Sequence, residues 1–266
     1  MIVVGDHINA GRNDIGDAIS KKDTAAIQKM AKDQEASGAN YIGVNAEEFI
    51  EDEPRHLKWL VNIVQEVASV PCCIDSCAPK AIESALAIHK GMAPPMVNAI
   101  SLEKNRYEEL LPLLRGTNLK VVALCKSDEG LPETTRERLD IADKLINGLV
   151  AADIPLENIF VDPLVQPISV HGEFGIEFLH AVETITTQFR GVHTICGLSN
   201  ISSGLPCRKY LNRIFAVMAV AKGLDGLITD PMDKEMMADI AAAERLAGRL
   251  PCAGTHRISP LKQHAL

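Results

Sequence analysis

The feature that most constrains this chain is an alternation. Eight short apolar runs are separated by longer amphipathic stretches within 266 residues. The runs lie at 2–5, 41–45, 72–75, 96–99, 120–124, 159–162, 193–197 and 227–230. They are short, partly β-branched and without strict two-residue alternation, as in strands covered on both faces. Between them, Leu57, Leu60, Val61, Val64 and Val67 share one helical face, with Lys58, Asn62, Gln65 and Glu66 elsewhere. Leu139, Ala142, Ile146 and Leu149 repeat the pattern, as do Leu211, Ile214, Phe215 and Met218. Helices of this kind pack one apolar stripe on a sheet, and Pro54 suits the first turn of one of them. Strand–helix alternation repeated eight times predicts an α/β fold with parallel strands. The length is close to the roughly 250 residues of a bare barrel. The expectation is therefore one (β/α)8 TIM barrel, a single domain over 1–266. An open doubly wound sheet is the rival, but no G-x-G-x-x-G turn or phosphate-binding G-x-x-x-x-G-K-[ST] loop supports it.

Composition narrows the function. Hydrophobic residues make up 47% and charged residues 23%, a balance suited to a globular core. The net charge of -8 argues against non-specific nucleic-acid binding, which needs basic surface. Seven cysteines, an odd number, are scattered without a disulfide-framework spacing, so free thiols and a cytoplasmic location are expected. The N-terminal stretch does not read as a signal peptide. No uninterrupted run of about 18 apolar residues suggests a membrane span. No metal site is expected: Cys72, Cys73 and Cys77 lack a zinc spacing with support elsewhere and read as buried core thiols. The histidines are scattered, with surface roles expected for His7 and His171.

Polar residues recur where the strands end. Asn9, Asn45, Asp75 and Asn98 follow or close the first four runs. Lys126, Asp162, Ser199, Asn200 and Asp230 do so for the last four. In a barrel these positions converge on one mouth, the usual catalytic face. Singly, Asp75 could cap a helix and Asp162 could serve a turn. Together, carboxylates and amides at one mouth suit a reduced pterin. Its 2-amino group and N3–H are adjacent donors that a carboxylate accepts in a pair, while an amide both donates and accepts. A phosphate would instead call for Lys, Arg or a helix N-terminus. The irregular stretches 46–53, 127–135 and 166–175 fall on the same face.

These segments also carry a family resemblance. GDHINAG at 5–11, CIDS at 73–76, MVNA at 96–99, VDPL at 161–164, GLSNIS at 197–202 and NRIF at 212–215 look like the pterin-binding, corrinoid-dependent methyltransferases. The likeness runs end to end with near-colinear spacing. A similar module occurs in cobalamin-dependent methionine synthase, and dihydropteroate synthase is a more distant relative. The resemblance implies that Asp75, Asn98 and Asp162 hold the pterin ring, and that Asn200 hydrogen-bonds N5 as the central catalytic residue. It implies that Gly197 and Ser199 shape the floor, and that Arg208 lies near the folate tail or the corrinoid. It further implies tetrahydrofolate as substrate, a corrinoid carried by a partner protein, and a homodimer. Two positions depart from the acetogenic members: Gly43 replaces an acid, with Glu47 and Glu48 as nearby substitutes, and Ser203 replaces a glutamine.

The chemistry so implied is displacement of a methyl group between tetrahydrofolate N5 and cobalt. Asn200 can accept from N5–H⁺ or donate to neutral N5. An amide supplies no net proton, so solvent or a nearby acid must exchange it. The missing acid at position 43 favours transfer from methylcorrinoid to tetrahydrofolate. Three rivals remain: an enzyme of dihydropteroate synthase type, a non-catalytic pterin-binding subunit, and a Schiff-base aldolase using Lys126. The first needs a late basic cluster, for which THRISP at 255–260 is the candidate. The last needs a desolvated lysine, whereas Lys126 adjoins Ser127, Asp128 and Glu129.

Overall fold

The computed structural model of the protein describes residues 1–90 and 93–250. Its strands are β1 (Ile2–Asn9), β2 (Tyr41–Asn45), β3 (Cys72–Asp75), β4 (Met96–Leu102), β5 (Lys120–Ser127), β6 (Ile159–Asp162), β7 (His193–Gly197) and β8 (Gly226–Thr229). They pair in sequence order, all parallel, and β1 closes on β8. The helices are α1 (Asn13–Ser20), α2 (Thr24–Ala36), α3 (Glu53–Gln65), α4 (Pro79–Leu86), α5 (Lys104–Leu114), α6 (Thr135–Ala151), α7 (Phe174–Gln188), α8 (Arg208–Ala221) and α9 (Lys234–Leu246). The expected (β/α)8 TIM barrel is the observed fold.

All eight expected strands form. Three of them, β1, β4 and β5, run beyond their apolar segments, to Asn9, Leu102 and Ser127. The reason is physical: near the mouth the inner face of the barrel opens into a cavity, so polar residues sit on paired strand where an apolar run has already ended. Deeper in, Val4, Tyr41, Cys73, Met96, Val122, Phe160 and Ile195 fill the barrel interior as packed side-chain layers. The larger core lies between strands and helices, with Ile42, Val44, Ile74, Val97, Val121 and Val161 facing Leu57, Leu60, Val64, Ile82, Leu145 and Leu149.

Local sequence explains the helix starts. Pro54 sits in the first turn of α3, where its missing N–H is no loss. Thr134 and Glu137 form a reciprocal capping box on α6, which satisfies two otherwise orphaned donors. Among the described residues, no helix is long and apolar enough to cross a membrane.

The strand β1 is irregular. Its pairing with β2 slips between Gly5 and Ile8, so that Gly5 faces Ile42 and Ile8 faces Val44. The extra residue is a bulge, the kind of feature that re-aims side chains at a barrel rim.

Candidate functional site

A cavity of about 390 Å³ opens at the C-terminal ends of the strands, within the roughly 300–1,000 Å³ range of small-molecule sites. Every strand contributes to its wall: Asp6 and Asn9 from β1, Asn45 from β2, Asp75 from β3, Asn98 from β4, Lys126 from β5, Asp162 from β6, Gly197 from β7 and Ile228 from β8. Ser199 and Asn200 complete it from the 3-10 turn Leu198–Ser202 that follows β7.

Asn45, Asp75 and Asn98 stand level across three neighbouring strands, Asn45 paired with Asp75 and Asp75 with Asn98. Asn45 Nδ2 donates to Asp75 Oδ2 at 3.2 Å, and Asn98 Nδ2 to Asp75 Oδ1 at 2.9 Å. Asp75 therefore caps no helix; α4 begins beyond it, and the carboxylate faces the cavity. Burial, reinforced by the nearby Glu47 charge, pushes its pKa up to about 7. Asp162 lies opposite and is buried. It does serve the turn after β6, accepting from Leu164 N at 2.8 Å, and the Gly197 N–H also stabilises its charge. Burial still raises its pKa to about 7. The cavity thus holds two carboxyl groups poised near neutrality, each with its charged form wanting further donors.

The other expected residues divide. Gly197 offers open floor: a Cβ built there meets nothing within 4 Å. Ser199 and Asn200 are exposed in the open mouth. Arg208 does not line the cavity; its Nη2 donates to Ser199 O at 2.9 Å and its Nε to Ser202 Oγ at 3.1 Å, bracing the turn that carries Asn200. Ser203 is also outside the wall, its carbonyl accepting from Ser169 Oγ. Glu47 is turned toward the loop after β3, where it accepts from Cys77 N, and Glu48 is exposed. Neither carboxylate enters the cavity. His7 is not a surface residue: its side chain is largely buried, with Nδ1 3.5 Å from Asp230 Oδ2. His171 is exposed. Cys72 and Cys73 are buried free thiols as expected, but Cys77 is exposed because it follows β3 on the loop rather than in the strand.

Three further residues come from the structure. Asp6 and Glu103 line the cavity, and so does Arg106 from the first turn of α5. Arg106 Nε donates to Ala99 O at 2.7 Å and Nη2 to Ser76 O at 2.7 Å, with Nη1 on Cys77 O. It ties the residues that follow Asp75 and Asn98 to one another. Arg138 of α6 does the same beneath Asp162: it is fully buried, and its Nε donates to Pro163 O at 2.9 Å. Arg106 and Arg138 carry no local motif, so periodicity could not single them out. Asp6 stands inside GDHINAG, where it is one of three polar side chains with His7 and Asn9, and only its place on the inner face distinguishes it. Among the described residues, no three His, Cys, Asp or Glu side chains cluster as a metal site.

A parallel barrel whose mouth is floored by paired carboxylates and amides defines a class, and residues 5–230 match the family model described as pterin binding enzyme. The chain belongs to that family. It is 32% identical over 93% of its length to a methylcorrinoid:tetrahydrofolate methyltransferase of Eubacterium limosum, of which it covers 92%. It is 27% identical over 86% of its length to a methionine synthase of Mycobacterium tuberculosis, but spans only 20% of that protein. Among solved structures it is similar to a dihydropteroate synthase of Xanthomonas albilineans in complex with 7,8-dihydropteroate, with TM-score 0.71 and 17% identity over 94% of both chains. A dihydropteroate synthase of Thermus thermophilus gives TM-score 0.68 and 18% identity, covering 92% of this chain and 94% of the other. At that identity the likeness is one of fold.

Proposed function

We propose that this protein is a methyltransferase that moves a methyl group from the cobalt of a methylated corrinoid protein to N5 of tetrahydrofolate. One observation carries the reading. The strand-end carboxylates and amides converge on one cavity in a chain similar over nearly its whole length to a methylcorrinoid:tetrahydrofolate methyltransferase. The corrinoid enters as a substrate on a separate partner. The enzyme acts as a homodimer in the reducing cytoplasm.

In this reading Asp75 and Asp162 accept the 2-amino and N3–H donors of the ring, supported by Asn98, while Asn45 orients Asp75. Each new donor favours the ionised carboxylate, so binding draws both groups out of their near-neutral poise. Gly197 and Ser199 leave a flat, open floor for the ring. Asn200 hydrogen-bonds N5 and fixes the lone pair toward the incoming methyl carbon. Holding the reactants in line can lower the barrier by roughly 7–11 kcal/mol, and the arginine-braced loops supply the rigidity that this requires.

The alternatives are less well supported. A dihydropteroate synthase-type reaction needs cations for its phosphorylated substrate. Among the described cavity residues, Arg106 is engaged by three backbone carbonyls, and Lys126 lies 2.8 Å from Glu103 Oε1. The late basic candidate at 255–260 lies outside the described residues. The Lys126–Glu103 ion pair also holds that amine on a carboxylate instead of leaving it free as an aldolase nucleophile.

The test is anaerobic and spectroscopic. The protein is mixed with tetrahydrofolate and methylcobalamin or a methylated corrinoid protein, and the cobalt absorbance is followed. Conversion of methylcobalt(III) to cobalt(I), stoichiometric with methyltetrahydrofolate, is the expected result. Tetrahydrofolate binding with no methyl exchange toward either donor, and none in reverse, selects the non-catalytic pterin-binding reading instead.

A further inference from the structure

Methyl transfer to tetrahydrofolate releases a proton. N5 begins as a secondary amine bearing hydrogen; when it bonds to the methyl carbon it becomes cationic and must lose that hydrogen. Asn200 cannot keep it, since an amide is a poor base. Asp75 and Asp162 face the opposite need, for their oxygens already accept from Asn45, Asn98, Leu164 N and Gly197 N and are aimed at the ring's donor edge. The wall made by β8, β1 and β2 is otherwise apolar or amide: Val4, Ile8, Asn9, Gly43, Asn45 and Ile228. Asp6 is the one ionisable side chain on that wall among the described residues.

Its position has a structural cause. Beside the bulge between Gly5 and Ile8, β1 runs so close to β2 that a Cβ built on Gly43 lies 2.6 Å from Gly5 O. An acid on β2 at that position has no room. Asp6 lies two residues beyond Val4, so strand alternation puts both on the inner face, where both line the cavity. Arg12 Nη2 holds Asp6 Oδ1 at 3.1 Å, and Oδ2 has no hydrogen-bond partner among the described residues. Asp6 is thus anchored by one oxygen and free at the other, the arrangement of an oriented base. The charged groups around it are Arg12 from the turn before α1, Asp230 after β8, and His7 beside it. Burial and the Asp230 charge hold its pKa above the ordinary carboxylate range, against the opposing pull of Arg12 and His7.

We propose that Asp6 is the general base for N5, standing on the inner face of β1 beside a position 43 that has no room for an acid. The inference rests on the methyltransferase reading. As the N5–carbon bond forms, the carbon–cobalt bond breaks with both electrons remaining on cobalt, which passes from cobalt(III) to cobalt(I). The N5 proton moves to Asp6 Oδ2 and then to solvent. In the reverse direction protonated Asp6 returns it to the leaving amine.

Wild-type enzyme is tested first, so that absence of methyl exchange rejects the parent reading and not this one. Single-turnover transfer from a methylated corrinoid protein to saturating tetrahydrofolate is then measured across pH for wild type, Asp6→Asn and Asp6→Glu. Asp6→Asn is expected to slow transfer about 10²–10⁴-fold, the range for a lost general base. Its tetrahydrofolate affinity by calorimetry should stay within about threefold, and its acidic limb should vanish at saturation, where bound-state groups are reported. Asp6→Glu should keep a limb, displaced in pH from that of wild type, and restore a tenth or more of the rate. Wild-type rates with an unchanged limb in Asp6→Asn overturn the proposal, as does a loss confined to affinity. If Asp6→Asn fails to fold, Asp6→Glu decides alone: a limb at an unchanged pH overturns the assignment.

Discussion

Asp75 and Asp162 share a pKa near 7 but reach it from different surroundings. Asp75 sits between two side-chain amides, so its partners can adjust when a ligand arrives. Asp162 is tied to backbone N–H groups, which cannot. Asn200 stands on an exposed turn and, among the described residues, has no hydrogen-bonded carboxylate of its own. These differences separate the roles by substitution. Asp75→Ala is expected to weaken tetrahydrofolate binding by about tenfold to a hundredfold, in line with the roughly 1.5–3 kcal/mol of a hydrogen bond to a charged group. Asn200→Ala should leave affinity within severalfold and lower the rate of methyl transfer more strongly. Calorimetry and single-turnover kinetics on both variants make the comparison, and equal binding losses in the two would contradict the roles.

At the scale of elements, the site depends on how closely strands approach and on which helix reaches which loop. Two glycines make the contrast. Gly43 faces Gly5 O across the β1–β2 pair, while Gly197 faces open cavity. Gly43→Ala must displace backbone and should destabilise the fold by about 1–3 kcal/mol, the usual range for overpacking. Gly197→Ala should change stability by less than about 0.5 kcal/mol, as at other unconstrained positions. Its methyl group nevertheless stands on the proposed ring floor and should weaken tetrahydrofolate binding. Urea unfolding together with calorimetry checks both halves. Gly43 was visible in the sequence as a departure from an acid, but its cause was not, because the neighbour that excludes a side chain is 38 positions away in the chain. The bracing of the loops by Arg106, Arg138 and Arg208 was equally hidden. Each sits on a helix whose periodicity says only that it packs on the sheet.

For the molecule as a whole, two acids buried at one mouth couple ligand, pH and stability. A carboxyl group whose pKa is raised by folding keeps a proton that the unfolded chain has already released. Between the ordinary carboxylate range and about pH 7 the unfolded state therefore binds fewer protons, and stability falls as pH rises. In the proposed binding mode tetrahydrofolate donates to the ionised groups and reverses the preference, so its affinity should grow across the same window. At a hundredfold excess over Kd the ligand adds about 2.7 kcal/mol. At about 2–4 °C per kcal/mol for a chain of this size, that amounts to roughly 5–10 °C in Tm. The expected result in anaerobic thermal scans is that this rise shrinks steadily from pH 7.5 to pH 6. The dependence should weaken in Asp75→Asn. A rise independent of pH would count against both carboxylates as ring partners.

The architecture follows from the order of residues alone, because eight apolar runs alternating with amphipathic helices admit few solutions, and parallel closure buries every run on both faces. The same order sets the polar residues at the strand ends, since barrel geometry converts eight separate positions into one mouth. What those residues do to one another depends on how the folded strands meet. Asn45 and Asn98 flank Asp75 because three strands share a register, and burial from all sides raises two acids to about the same pKa. The backbone of β1 closes position 43, while Asp6 stands with Val4 on the inner face of the same strand. Periodicity reports which face of an element is buried; register, bulges and close backbone approach arise between elements, and no single segment encodes them.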